Sequence, residues 1–92
     1  MGAQGTALLD FGTAGAPDAA VAVTGQSGIA GSSLVEAWLL PSPTADHSAD
    51  EHLIEGMDVI AGAIVAGTGF TIYGRSRNTI LRGRWTVAWV WN

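Results

Sequence analysis

The stretch DHSADEH, residues 46–52, is the part of the sequence that gathers side chains able to bind a metal or to transfer a proton. Its imidazoles and carboxylates are of the kinds that transition metals take as nitrogen and oxygen ligands. His47 and His52, however, are five positions apart, and this spacing places them on neither one face of a helix nor one face of a strand. We therefore predict no metal site, and interpret residues 42–51 as an exposed polar loop.

Signatures of nucleophilic catalysis and of cofactor binding are missing from the sequence. The chain has no cysteine, and no serine lies in a Gly-x-Ser-x-Gly pattern. The glycine-rich stretch GQSGIAGSS, residues 25–33, matches neither of the phosphate-loop spacings and is typical of a turn. These observations predict a protein that is not an enzyme and that binds no cofactor.

The basic residues are unusual because all four are arginines and all lie within ten positions: Arg75, Arg77, Arg82 and Arg84. The acids precede residue 59, and the formal net charge is −4, whereas a nucleic-acid-binding domain normally has a basic balance. Three interpretations remain: loose pairing with acids of the same chain, a contact with carboxylates of another subunit, and, least favoured, nucleic-acid binding. Arginine pairs with carboxylates through two parallel hydrogen bonds, which suits a subunit contact.

The last ten residues, GRWTVAWVWN, predict a strand with one heavily aromatic face. Side chains alternate between the two faces of a strand, so Trp85, Val87, Trp89 and Trp91 share one side. Such a face can belong to the core, contact another subunit or bind a ligand such as a sugar. We assign Val87 and Trp89 to the core, and place Trp91, together with Trp38, nearer a subunit contact.

Composition predicts that other protein copies cover part of the surface. The chain has 92 residues, of which 48% are hydrophobic and 13% charged, and a domain of this size has a thin core. The stretch 34–40 is apolar on both faces of the strand that it predicts, so we expect both faces to be covered. A membrane is not favoured, since the stretch 59–74 is short and interrupted by glycines, and a spanning helix needs about 20 mostly apolar residues.

Short alternating stretches separated by Gly, Pro and Ser predict an all-β protein. We expect one domain over 1–92, a small antiparallel β-sandwich or jelly-roll-like barrel of six to eight short strands. Residues 52–61 are ambiguous: we favour a strand at about 55–61 and leave open a helical turn near 48–53, where Ser48 and Glu51 have capping-box spacing. Strands are predicted at 6–12, 19–25, 34–41, about 55–61, 70–76 and 83–92, with turns at 13–18, 26–33, 62–69 and 77–83.

Several motifs of the sequence resemble small proteins encoded among the virion genes of tailed bacteriophages. The resemblance covers residues 8–92, and its most specific pieces are LVEAW, TADH and GTGFTIY. It implies a virion component built from a compact β-sandwich, and it supplies no catalytic or ligand-binding residue. A weaker similarity is to the trimeric sandwich lectins, whose last strands also read Thr-Gly-Phe-Thr and end in a Trp-containing strand.

Two functional hypotheses follow. The first is a head decoration or cement protein of the virion that assembles as an oligomer, expected to be a trimer, on the lattice of the major capsid protein, with no nucleic acid or membrane as partner. The second is a host-recognition module of a tail fibre or spike that binds surface polysaccharide. The expected subunit or capsid contacts are Trp38, Arg75, Arg77, Arg82, Arg84 and Trp91.

Overall fold

The computed structural model describes residues 2–54, 57–77 and 80–92. These residues form two three-stranded antiparallel sheets with strand orders β1-β6-β3 and β2-β5-β4, so the predicted all-β sandwich is confirmed. No helix among the described residues is long and apolar enough to cross a membrane. The elements are β1 Ala3–Asp10, β2 Asp18–Val23, β3 Val35–Leu39, α1 Ala49–Ile54, β4 Met57–Val65, β5 Gly69–Ser76 and β6 Arg84–Trp91.

The predicted aromatic strand is β6, the centre of the first sheet. Its alternate residues Trp85, Val87, Trp89 and Trp91 all face inward and are buried. Thr86 and Ala88, on the opposite face, are buried as well, which alternation alone does not predict. The segment 42–54 covers Thr86, whose hydroxyl donates to the carbonyl of Ser42 and whose N–H donates to the ring of His52. Ala88 has Trp38 directly opposite it on β3.

The core lies between the two sheets. Leu9, Ile72 and Val87, from three different strands, have no solvent exposure, and the rings of Phe70 and Trp89 meet edge to face at 5.5 Å across the sheets. Each large apolar side chain that is buried contributes about 1.5–3 kcal/mol. This packing, in a chain without disulfides, holds the two sheets together.

The link predicted as a turn at 62–69 is mostly strand, and that prediction was wrong. β4 continues to Val65, and only residues 66–68 form the turn, where Gly67 takes a positive φ of 76°. A bulge between Gly62 and Val65, with Ala63 at a φ of 51°, absorbs the irregularity. An edge strand tolerates such a bulge because one side of its backbone needs no partner.

Other boundaries agree with the pattern in part. The helical turn left open near 48–53 is α1, and the strand favoured at 55–61 is the first half of β4, although residues 55 and 56 lie outside the described residues. The turn predicted at 77–83 includes residues 78 and 79, also outside them. Within it, Leu81 is buried and bridges to Ala16.

β3 has one covered face in the single chain rather than two. Val35, Ala37 and Leu39 pack on the core, whereas 44% of Trp38 and 77% of Leu34 are exposed. The covering of the second face by another copy stays a prediction.

Candidate functional site

The first part of the segment 42–54 is hydrogen-bonded to Arg84, the first residue of β6. The Thr44 hydroxyl donates to the carbonyl of Arg84 at 2.9 Å and accepts from the N–H groups of Asp46 and His47. The Asp46 carboxylate accepts from the backbone N–H and the Nε of Arg84, at 2.8 and 2.9 Å. The hydrogen bonds from the Arg84 side chain and then from its backbone hold the pKa of Asp46 below its ordinary value of 3.8. Two of these contacts are to backbone groups of β6, so they fix where the segment begins.

A capping box starts α1. The Ser48 hydroxyl accepts from the N–H of Glu51 at 3.2 Å, and Glu51 Oε1 accepts from the N–H of Ser48 at 2.9 Å. This reciprocal pair satisfies two N–H groups that a helix start leaves without partners. The resulting short helix carries His52 toward β6.

His52 connects α1 to β6 through both of its ring nitrogens. Nε2 accepts from the backbone N–H of Thr86 at 2.9 Å, and Nδ1 lies 2.7 Å from the carbonyl of Ser48. Because a backbone N–H can only donate, Nε2 is the unprotonated nitrogen and Nδ1–H is the donor. Only 3% of the residue is exposed. The N–H of Leu40 donates to the carbonyl of Thr86, and the His52 ring takes the place that the carbonyl of Leu40 would fill if the ladder continued here as a hydrogen-bonded pair.

His47 lies flat on Trp85, with ring centroids 3.6 Å apart and an interplanar angle of 21°. Its Nδ1 contacts Glu51 Oε2 at 2.9 Å, and its Nε2 contacts the carbonyl of Arg82. Burial disfavours the charged ring, but the hydrogen bonds to Glu51 and Arg82 outweigh that effect, so the pKa of His47 rises above 6.5. The same hydrogen bond is the main reason that the pKa of Glu51 falls below 4.5. An imidazolium that donates from both nitrogens is the species that these partners favour.

The two histidines are therefore structural parts of the sandwich, and the prediction of an exposed loop at 42–51 was wrong at His47, whose side chain is 15% exposed. All four ring nitrogens of the two histidines lie within hydrogen-bond distance of a partner in the chain. Among residues 2–54, 57–77 and 80–92, no group of three His, Asp or Glu side chains is arranged to hold a metal ion. The arrangement clamps the segment 42–54 over Trp85.

The predicted arginine cluster is already paired within the chain at three of its four positions. Arg75 lies 3.7 Å from Asp18, Arg77 lies 2.8 Å from Asp58, and Arg84 lies 2.9 Å from Asp46. These three pairs agree with the first of the three interpretations, pairing with acids of the same chain, and the strand register explains two of them by setting Asp18 and Asp58 on either side of Arg75. Arg82 is exposed and forms no ion pair with any carboxylate in the described part of the chain.

The two tryptophans predicted nearer a subunit contact have different environments. Trp91 is 6% exposed, and its Nε1 donates to Gln26 Oε1 at 2.8 Å, so it belongs to the core and its assignment to a contact was wrong. Trp38 is 44% exposed and remains a candidate contact. The core assignment of Val87 and Trp89 agrees with their burial.

The outer face of the first sheet, which we call the Trp38 face, is open. Trp38, Ala88 and Thr6 lie in one row across β3, β6 and β1, and Leu8 is exposed nearby on β1. A shallow depression of about 310 Å³ lies between Trp38 on one side and Gln4 and Thr6 on the other. This face combines one aromatic ring with a neighbouring amide and hydroxyl.

The outer face of the second sheet, which we call the Tyr73 face, holds a larger open depression of about 740 Å³. Ala20, Tyr73 and Ile60 form an apolar row across β2, β5 and β4, with Ile60 65% and Tyr73 41% exposed. The next row along the strands is charged and reads Asp18, Arg75 and Asp58. Both sheets thus expose apolar side chains beside polar ones, as binding surfaces do.

No family model, no curated protein and no solved structure matches this chain.

Sequence reasoning missed the roles of His47 and His52 and the Tyr73 face. The capping-box spacing of Ser48 and Glu51 was the available signal for α1. Nothing in the sequence shows that Tyr73 and Ile60, thirteen residues apart, are directly opposite neighbours, because that follows from the β4–β5 register.

Proposed function

We propose that this protein is a non-enzymatic structural component of a tailed-phage virion, of the head decoration or cement type. In this role it assembles as an oligomer on the capsid lattice, and its partners are further copies of itself and the major capsid protein. The virion context comes from the resemblance of its motifs, and the assembly role comes from its surface.

The observation that carries the proposal is the exposure of apolar side chains on both outer sheet faces. Leu8 and Trp38 on the first sheet, and Ile60 and Tyr73 on the second, are each at least 41% exposed. Contiguous apolar surface on a small protein marks contact sites, and aromatic residues are enriched in the cores of protein interfaces. A lattice-bound subunit needs contacts on more than one side, and two such faces on opposite sides of the sandwich meet that need.

Sizing of the purified protein tests the assembly part. Multi-angle light scattering at micromolar concentration should give a mass of two or more chains, above the 9.4 kDa of one chain. Because apolar contacts are not screened by salt, the mass should persist from about 0.1 M to 1 M salt. A monodisperse monomer at every concentration would contradict the assembly role.

Antibody labelling of purified phage particles in the electron microscope tests the virion part. The expected label lies over the head surface. Label confined to the tail tip, or no label on particles, would contradict the decoration role.

The second candidate, a module that binds surface polysaccharide, is favoured by one observation. Trp38 stands half-exposed beside Gln4 and Thr6 in the depression of the Trp38 face, and an aromatic ring beside hydrogen-bonding groups suits a sugar ring. Titration with host polysaccharide should then change tryptophan fluorescence, and Trp38→Ala should abolish the change while Tyr73→Ala leaves it. Absence of any change would reject this candidate.

A further inference from the structure

The free edge of the first sheet is the outer side of β1. On β6, Thr86 directs both backbone groups toward β3, because its carbonyl accepts from Leu40 and its N–H donates to His52. Leu8 lies directly opposite Thr86, so the two form a non-hydrogen-bonded pair and the backbone groups of Leu8 point away from β6.

Because the backbone groups of successive residues alternate in direction along a strand, those of Gln4 and Thr6 also point away from β6. Within the described residues, no hydrogen bond reaches the backbone N–H or carbonyl of Gln4, Thr6 or Leu8. All three residues are exposed. The edge therefore presents three N–H groups and three carbonyls in register, ready for another strand.

The other three edges are interrupted in ways that oppose pairing. β4 carries the bulge between Gly62 and Val65. β2 has six residues and follows Pro17, and β3 has five residues and ends just before Pro41 and Pro43. β1 has eight residues, no proline and a single charge, Asp10, at its end. Natural proteins protect sheet edges with bulges, prolines and charges, so β1 is the edge left unprotected.

We propose that β1 pairs antiparallel with β1 of a second copy of this chain, across a two-fold axis at Thr6. This register joins the two Thr6 residues to each other and Gln4 of each copy to Leu8 of the other. Each of these three pairs exchanges two backbone hydrogen bonds. The proposal deepens the assembly role by naming its contact, and it rests on that role only in requiring that the chain associates.

The side chains of β1 fit a second copy. With the axis at Thr6, Asp10 of each copy lies opposite Gly2 of the other, so no like charges meet. Two threonines directly opposite each other form a favourable cross-strand pair. The two sheets become one sheet of six strands, β3-β6-β1-β1-β6-β3, and the Trp38 faces of the two copies become continuous. The same residue pairs with itself, as a two-fold contact requires, so this contact closes as a dimer.

Thr6→Cys tests the contact directly, because the chain has no cysteine of its own. Residues in a hydrogen-bonded antiparallel pair have Cα atoms about 5.5 Å apart, inside the range of about 4.4–6.8 Å that a disulfide spans. Under mild oxidation, most of the variant should run as a covalent dimer on a non-reducing gel. Glu36→Cys is the matched control: Glu36 is exposed on the same outer face but on β3, at the opposite edge, and should stay monomeric on the gel.

A mixture of variants tests the register. Gln4→Cys alone and Leu8→Cys alone should give little covalent dimer, because neither residue lies opposite itself. The two variants mixed before oxidation should crosslink several-fold more than either alone. Crosslinking of each variant with itself would contradict the axis at Thr6.

The outcomes separate this proposal from the assembly role. A wild-type chain that associates in solution, with Thr6→Cys not crosslinked or Glu36→Cys crosslinked instead, overturns the β1 contact and leaves the assembly role standing. A monomeric wild type with no crosslink in any variant overturns both. A trimer in light scattering also overturns the contact as the one that closes the oligomer, since a two-fold pair cannot generate three copies.

Discussion

His52 is a buried histidine whose two ring nitrogens join a helix to a strand. Nε2 accepts from the N–H of Thr86, in the place that the carbonyl of Leu40 would otherwise fill, and Nδ1–H donates to the carbonyl of Ser48. With 3% of the residue exposed, water cannot replace these bonds without opening the segment 42–54. The ring therefore links the start of α1 to β6 by hydrogen bonds.

His52→Ala should lower the free energy of unfolding by about 1–3 kcal/mol, because it leaves a buried N–H without a partner. Urea unfolding followed by tryptophan fluorescence measures the change. Asp50→Asn, on the exposed side of the same helix, is the control and should stay within about 0.5 kcal/mol of the wild type. Equal effects of the two variants would show that His52 does not brace the fold.

His47 and Glu51 form a pair whose contribution to stability depends on pH. The raised pKa of His47 gives stability that is fully present below its ordinary value of 6.5 and lost as pH rises through the folded value. The lowered pKa of Glu51 gives stability that is fully present above its ordinary value of 4.5 and lost as pH falls through the folded value. The pair therefore contributes most between these two ordinary values.

Glu51→Gln should lower the pKa of His47, because it removes the main group that raises it, while burial of the ring remains. An NMR titration of the His47 ring proton in the wild type and in the variant measures this. The stability difference between wild type and variant should be larger at pH 5.5 than at pH 8.5. A His47 pKa that is unchanged in the variant would contradict the pairing.

At the scale of elements, the two sheets meet where β5 passes under β1. Gly74, on the central strand of the second sheet, has no side chain, and a Cβ placed there would lie 2.6 Å from Leu9 Cδ1. Leu9 has no solvent exposure and belongs to the core between the sheets, so the missing side chain of Gly74 lets the sheets approach closely at this point.

Gly74→Ala should destabilise the protein by about 1–3 kcal/mol through overpacking. Gly62→Ala is the matched control within the same sheet, because no atom lies within 4 Å of its Cβ position, and its change should be small. Thermal unfolding of the two variants beside the wild type compares them. A Gly74→Ala protein as stable as Gly62→Ala would mean that the sheets separate without cost at this point.

At the scale of the whole molecule, in-chain pairing changes what the arginines offer to a partner. Three arginines form ion pairs with carboxylates of the same chain, although each remains partly exposed: Arg75, Arg77 and Arg84. Arg82 is the arginine left for an outside carboxylate. Its backbone carbonyl contacts His47 Nε2 and accepts from the indole N–H of Trp85, so its position is fixed. Its guanidinium forms no ion pair with the carboxylates that the described residues contain.

If the proposed capsid contact uses Arg82, Arg82→Ala should weaken binding to undecorated phage heads by about tenfold or more, since truncating one partner of a desolvated charge pair costs about 2–5 kcal/mol. Co-sedimentation with purified heads measures the loss. Arg75→Ala, an exposed residue already paired with Asp18, is the control and should bind as the wild type does. Equal binding by both variants would remove Arg82 from the contact.

The sequence alone determined the fold class and the composition of much of the core. Alternation is a local property, so Trp85, Val87 and Trp89 could be assigned to one face of a terminal strand, and the glycine and proline turns separated most of the strands. Boundaries failed where local signals misled: three glycines and a run of small residues in 62–69 are typical of a turn, yet the strand continues because its edge position tolerates a bulge.

Tertiary structure decided everything that depends on register and on layers. The pairing of Arg75 with Asp18, 57 positions earlier in the sequence, follows from the β2–β5 register, and the burial of His52 follows from α1 lying over β6. The tertiary structure also places Trp91 in the core. It makes β1 an edge strand, which pairs with β6 on one side and leaves the backbone groups of its other side facing solvent. Hydrophobic periodicity specifies which face of a strand turns inward, but the neighbours of that strand are set by contacts between residues far apart in sequence.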